Sequence, residues 1–232
     1  MADEILNNEI EETQVPVLNE DEEPVVEDPT KVLIALRHKS DASEKLAVTK
    51  EQYAGYDKRS YAVDGYIIRN EDNDVDLLVS LLQPECIFGE GPEDIPATDK
   101  RRKNAPVNPQ FYELDGYIRT QWQLNNHHET HESGCAVCEA VKFGWLPSNG
   151  EMTWIRDHKE QLNELAEVIG AEPMADAEYW CSTQYSEEYM WHLNMVTGYF
   201  GFWRSKQATM KVRPVGTASA YVEVPEPEPE AE

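Results

Sequence analysis

Residues 179–215, YWCSTQYSEEYMWHLNMVTGYFGFWRSKQATMKVRPV, limit what this chain can fold into more than any other stretch. They hold three of the six tryptophans, Trp180, Trp191 and Trp203, and are punctuated by Gly198 and Gly201. Apolar residues that alternate with polar ones and break at glycines form a β-meander, because successive side chains in a strand point to opposite faces. The pattern predicts strands over 179–183, 190–195, 199–204 and 210–215, with Thr197-Gly198 as a turn. In the second of these, Trp191, Leu193 and Met195 alternate with Met190, His192 and Asn194.

Ahead of this segment the pattern is helical. Ala136, Val137, Ala140 and Val141 share one side of a short helix that Gly144 stops. Ser148 and Glu151 have capping-box spacing, and the helical run they open buries Met152, Ile155, Leu162, Leu165 and Ile169 before Gly170 and Pro173 end it. Earlier still, 31–38 reads as a strand, and Thr49 with Gln52 as a second capping box. Residues 61–69 and 75–82 read as a hairpin around the polar turn NEDND. Residues 89–110, with two glycines and four prolines, read as a long surface loop.

Charge sets the boundaries. Residues 1–30 contain eleven acids and no Lys or Arg; 216–232 contain five acids and again no base. With those sixteen set aside, 29 acids face all 20 bases, so most of the net charge of −25 sits in the two ends. Both ends read as disordered tails, the first acidic and the second built on PEPEPEAE. Such a balance excludes a nucleic-acid binder, which needs a basic footprint, and disfavours an anionic membrane surface. No run approaches the ~18 apolar residues of a membrane span. The N-terminus lacks a basic, apolar leader, so Cys86, Cys135, Cys138 and Cys181 read as reduced thiols.

The order of motifs, LPS-x-x-E, YW-x-ST-x-YS, a tryptophan–turn–glycine hairpin and KVRPV, resembles a bacterial and phage domain family of unknown function with the C-type lectin-like fold. That family is similar to the variable proteins of diversity-generating retroelements and, more distantly, to formylglycine-generating enzymes. VDGYII, DLLVSLL and DGYIRTQ fit its N-terminal half. The resemblance covers residues 61–215 and implies an α+β domain, two helices packed on a twisted, mostly antiparallel sheet. It makes Leu146, Pro147, Ser148, Glu151, Tyr179, Trp180, Ser182, Thr183, Trp191, Gly198, Arg213 and Pro214 scaffold positions. Cys181 and Gln184 depart from its usual serine and acid. The expected organisation is a tail over 1–30, an attachment segment over 31–60, the lectin-like domain over 61–215 and a tail over 216–232.

In the retroelement relatives the diversified residues lie on the exposed face of the last strands. The corresponding positions here are Gln184, Tyr185, Glu187, Glu188, Tyr189, His192, Asn194, Tyr199, Trp203, Arg204 and Gln207. Rigid aromatics mixed with adaptable polar groups suit recognition. The implied function is a non-enzymatic module that binds a host surface ligand, glycan or protein. A surface adhesin needs export whereas a virion protein does not, so a phage fibre or decoration subunit is expected. Its N-terminal segment would attach to other virion proteins, and homo-oligomerisation is compatible with that setting. The alternatives are an assembly subunit whose same face makes protein contacts, and a cytoplasmic enzyme of the formylglycine-generating branch.

Other chemistries fit less well. His127, His131, Cys135 and Cys138 would form a stripe on one helix, but it would span ~16 Å, too far for one zinc ion. A lone C-x-x-C is more simply a pair of packed thiols. The 70–76 turn lacks the glycine and terminal glutamate of a calcium loop and reads as a solvated turn. Cys181 with His192 could be imagined as nucleophile and base, yet its place beside Trp180 in a core strand favours an inert thiol. No metal or cofactor is expected.

Overall fold

The computed structural model describes residues 29–89, 114–127, 134–185, 189–202 and 204–225. Residues 1–28 of the tail expected over 1–30, nearly all of the 89–110 loop and the last seven residues lie outside them. The fold is mixed α+β, with two sheets and five α-helices among the described residues.

Strand β1 (Lys31–His38) pairs antiparallel with β2 (Lys45–Val48) on one side and β3 (Tyr61–Asn70) on the other. The four-residue helix α1 (Lys50–Tyr53) follows β2, opened by the Thr49–Gln52 capping box. β3 turns into β4 (Val75–Ser80) as the sequence indicates. The Asn70 side chain accepts the Asn73 N–H at 3.1 Å, and Asp74 takes the left-handed conformation (φ 55°) that closes the turn. Arg69 holds Asp76 at 2.9 Å, so this turn spends its polar groups on its own structure.

No boundary falls at residue 60. The segment expected to be a separate attachment piece supplies β1 and β2, which lie between β3 and the far edge of the same sheet. The C-terminal side also extends further than expected. β10 (Val215–Thr217) pairs with β4, and β11 (Val222–Glu223) pairs parallel with β2, giving the order β10-β4-β3-β1-β2-β11. Laid flat, six strands put their outer two roughly 24 Å apart. From Thr217 to Val222 the chain reaches at most about 18 Å, and it makes a turn on the way, with the Tyr221 N–H donating to Ala218 O at 2.8 Å. The sheet must therefore curl until its edges approach. The register shift at Ala35/Leu36 helps it bend, and the small residues Ala35, Ala47 and Ala218 line the concave side with Leu33, Ile67, Leu78 and Tyr221.

The second sheet has the order β5-β9-β6-β7-β8. Its strands are β5 (Glu85–Ile87), β6 (Glu178–Gln184), β7 (Met190–Asn194), β8 (Phe200–Gly201) and β9 (Thr209–Lys211). The strand expected over 210–215 is divided between the sheets. Met210 pairs with Cys86 in the second sheet and Val215 with Val79 in the first. Between them Pro214, which has no N–H to give a ladder, accepts the Ser80 N–H at 2.9 Å. Arg213 is wholly buried there, donating to Leu81 O at 3.2 Å with its guanidinium 5.8 Å from the Tyr66 ring centroid.

The inner strands β1, β3, β6 and β7 are covered on both faces, so alternation sends each of them into two cores. From β1, β3, β6 and β7, the residues Ile34, Leu36, Tyr66, Ile68, Tyr179, Cys181, Trp191 and Leu193 enter one core shared by the two sheets. Their neighbours Leu33, Ala35 and Ile67 face the concave side of the first sheet, and Trp180 and Met190 face a third core with Cys86, Phe88, Val137 and Leu146. Helices α4 (Asn149–Asp157) and α5 (Lys159–Ile169) drive Met152, Ile155, Leu162 and Leu165 into the shared core. The Ser148–Glu151 capping box opens α4, and Gly170 in the left-handed region ends α5. α3 (Ala136–Val141) covers the third core, whereas α2 (Gly116–His127) has no counterpart in the sequence reading.

Candidate binding site

The strands β6, β7 and β8 carry the expected contact positions, and the register sorts them into two ends. At one end the Tyr185 N–H donates to Tyr189 O at 3.1 Å, and Tyr189 bridges to Ser205. Here Tyr185 stacks on Phe202 with ring centroids 4.0 Å apart and planes 17° apart. Both rings meet Trp191 edge-on, at 5.4 Å from Tyr185 and 5.2 Å from Phe202. Trp191 lies on the inner side of β7, so the stack caps an open end of the shared core while Tyr185 keeps 50% of its surface exposed. Phe202 escapes the sequence reading, although its alternation with Phe200 across Gly201 could have placed it on the Trp191 side.

The other end lies about 13 Å away, four residues along β7. Asn194 is there, but its Oδ1 accepts the N–H groups of Val196 and Thr197, each at 3.0 Å, so it builds the turn. Gly198 (φ 72°) closes that turn, leaving Tyr199 75% and Val196 64% exposed. Asn194 and Tyr199 thus stand apart from the Tyr185 cluster.

Two expected contact residues are buried. Gln184 is covered, and His192 lies against Trp180 (ring centroids 6.1 Å apart) with Glu178 at 3.9 Å. Burial pushes the His192 imidazole below its usual range, while Glu178 pulls it back up. Neither is available to a partner, because the face they occupy is covered by the third core. Arg204 is exposed and reaches Glu178 at 3.4 Å; Gln207 is exposed beyond a turn in which its N–H donates to Ser205 Oγ at 3.2 Å. Glu187, Glu188 and Trp203 lie outside the described residues.

The geometry also bears on the competing chemistries. Cys181 enters the shared core while His192, beside Trp180, faces the opposite side of the sheet, so the two form no nucleophile–base pair. Burial raises the Cys181 thiol further from reactivity. His131 lies outside the described residues; Cys135 is extended and caps α3, its Sγ accepting the Cys138 N–H at 3.2 Å, so no single helix runs on through Cys135 to Cys138. Among the described residues no three His, Cys, Asp or Glu side chains are grouped to hold a metal ion. No described helix is long and apolar enough to cross a membrane.

Neither a protein-family model nor a curated protein matches the sequence. A solved structure of a fimbrial protein from Bacteroides ovatus ATCC 8483 is similar at a TM-score of 0.46 and 17% identity, over 60% of this chain. The similar region spans about a third of that protein, 35% of its length, and a likeness of this size assigns neither a fold family nor a function.

Proposed function

We propose that this chain is a non-enzymatic binding module of the C-type lectin-like class, and that its ligand docks on the Tyr185 end of the second sheet. The observation that carries this reading is the Tyr185–Phe202 stack, held from behind by Trp191. A half-exposed aromatic ring fixed before binding offers area at little entropic cost, which suits a sugar face or an apolar protein side chain. The motif resemblance to a bacterial and phage family favours a host surface ligand and a virion setting. The test is binding of the purified protein to a panel of bacterial strains and their envelope glycans. Binding that Tyr185→Ala removes supports the reading; no binding anywhere in the panel sinks it.

A second reading, an assembly subunit, is favoured by the exposed Val196 and Tyr199 at the opposite end. It expects self-association that Tyr199→Ser weakens and Tyr185→Ala does not.

A further inference from the structure

Three of the four cysteines converge on the third core. Cys86 and Cys135 are buried in it, and Cys138 packs against it from the edge, half-buried. Cys138 is close enough to both for its charge to bear on their titration. With Cys135 the contact is direct. Cys135 is the N-cap of α3, with extended backbone (φ −72°, ψ 160°) that folds its side chain back over the first turn, where Sγ accepts the Cys138 N–H at 3.2 Å. The Cys135 thiol also hydrogen-bonds the Cys138 side chain. On helix geometry, α-carbons three residues apart stand about 5 Å from each other, inside the roughly 4.4–6.8 Å that a disulfide bridges. Cys86 is placed differently. The pairing of β5 with β9 fixes its backbone, and its carbonyl accepts the Trp180 indole N–H at 3.0 Å.

We propose that Cys135 and Cys138 are a dithiol pair that closes to a disulfide within the folded protein, by exchange with a low-molecular-weight disulfide. Access sets the roles. Cys138, the half-buried thiol, loses its proton and attacks the small disulfide; a Cys138–sulfur bond forms, the small disulfide breaks and one small thiolate leaves and is protonated. Cys135 then loses its proton, and its sulfur attacks Cys138 Sγ and expels the second small thiolate. The two cysteines are oxidised by two electrons and the small disulfide is reduced to two thiols. Burial, and after it the hydrogen bond to Cys138, push the Cys135 thiol up to about 12, which slows this second step; holding the two sulfurs in contact offsets that cost. Closure pins the first turn of α3 over the third core and shields the one half-buried sulfur from irreversible oxidation. The pair shares no residue with the Tyr185 cluster and does not depend on the function proposed for it.

The test uses reduced full-length protein, incubated with oxidised glutathione under native conditions, quenched in acid, unfolded, alkylated and digested. Tryptic peptide 120–142 holds both cysteines and no internal Lys or Arg. The expected product is that peptide lighter by two hydrogens, with Cys86 and Cys181 alkylated. Cys135→Ser keeps an N-cap oxygen for the Cys138 N–H, so the fold is retained while the second step is lost. Glutathione then stays on Cys138 in at least about tenfold more chains than in the wild type. Cys86→Ser should close as the wild type does. Glutathione retained on wild-type Cys138, a Cys86–Cys138 link in place of the expected one, a Cys86→Ser variant that fails to close, or no oxidation of the folded protein would overturn the proposal.

Discussion

The indole N–H of Trp145 donates to Glu151 Oε1 at 3.1 Å, while the other oxygen of that carboxyl accepts the Ser148 N–H at 2.7 Å. The capping box of α4 is thus also the tie between that helix and the strand-like bridge in which Trp145 exchanges hydrogen bonds with Val215. Because Glu151 is buried, its carboxyl is pushed up to about 7 from an ordinary value of 4.5, against the pull of Ser148 and Trp145.

A folded-state value above the unfolded one fixes the sign of the pH dependence. The stability contributed by protonating Glu151 is fully present below about 4.5 and is lost as pH rises through about 7. Glu151→Gln removes that titration and sets an amide NH2 against one of two N–H donors, costing about 1–3 kcal/mol at neutral pH. The gap between wild type and variant should widen from pH 8 to pH 5 in denaturant titrations. A gap independent of pH would show that Glu151 does not titrate in this range.

Gly116 lies against the same carboxyl. A Cβ there would stand 2.1 Å from Glu151 Oε2 and 2.8 Å from both Leu146 O and Ser148 N. Gly116→Ala should therefore cost more than about 2 kcal/mol, since two of the three obstacles are backbone. Removing the carboxyl in a Gly116→Ala, Glu151→Ala double variant should recover only part of that loss. Thermal unfolding of the four proteins of the cycle measures the coupling.

Local signals in the sequence carried through to the structure, and long-range ones did not. Thr49 with Gln52 and Ser148 with Glu151 open helices because capping needs only four consecutive residues. The β3–β4 hairpin is similarly self-contained. α2 was illegible because the face it buries is polar: Arg119, Thr120 and Gln123 are covered, while Tyr117 and Ile118 are exposed. The period of its apolar residues therefore points the wrong way. Exposure in β6 and β7 was illegible for another reason. A sheet covered on both faces buries both halves of an alternating pattern, so Gln184 and His192 look like surface residues in the sequence and are core residues in the fold.

The cysteines should rank by access. Burial pushes the thiols of Cys86 up to about 11 and Cys135 up to about 12, and raises Cys181 as well. All three are buried, whereas Cys138 is half-buried. At pH 8 a small alkylating reagent should therefore modify Cys138 first and reach the other three only with unfolding. Mass spectrometry of tryptic peptides over time reads the order. Rapid labelling of Cys181 in the folded protein would contradict its place in the shared core.

Tyr185 separates stability from recognition. Its ring contributes to the fold through the Phe202 stack and the Trp191 edge contact, so Tyr185→Ala should cost about 1 kcal/mol. Tyr185→Phe keeps both ring contacts and should leave stability within ~0.5 kcal/mol. A ligand that docks on the ring face tolerates Tyr185→Phe and loses at least about tenfold in affinity with Tyr185→Ala; one that also reads the hydroxyl loses affinity with both. The comparison requires the Ala variant to be assayed well below its unfolding midpoint, so that lost binding is not lost fold. If both variants bind a strain or glycan as the wild type does, the ligand surface lies elsewhere. The exposed Tyr199 end would then be the next segment to substitute.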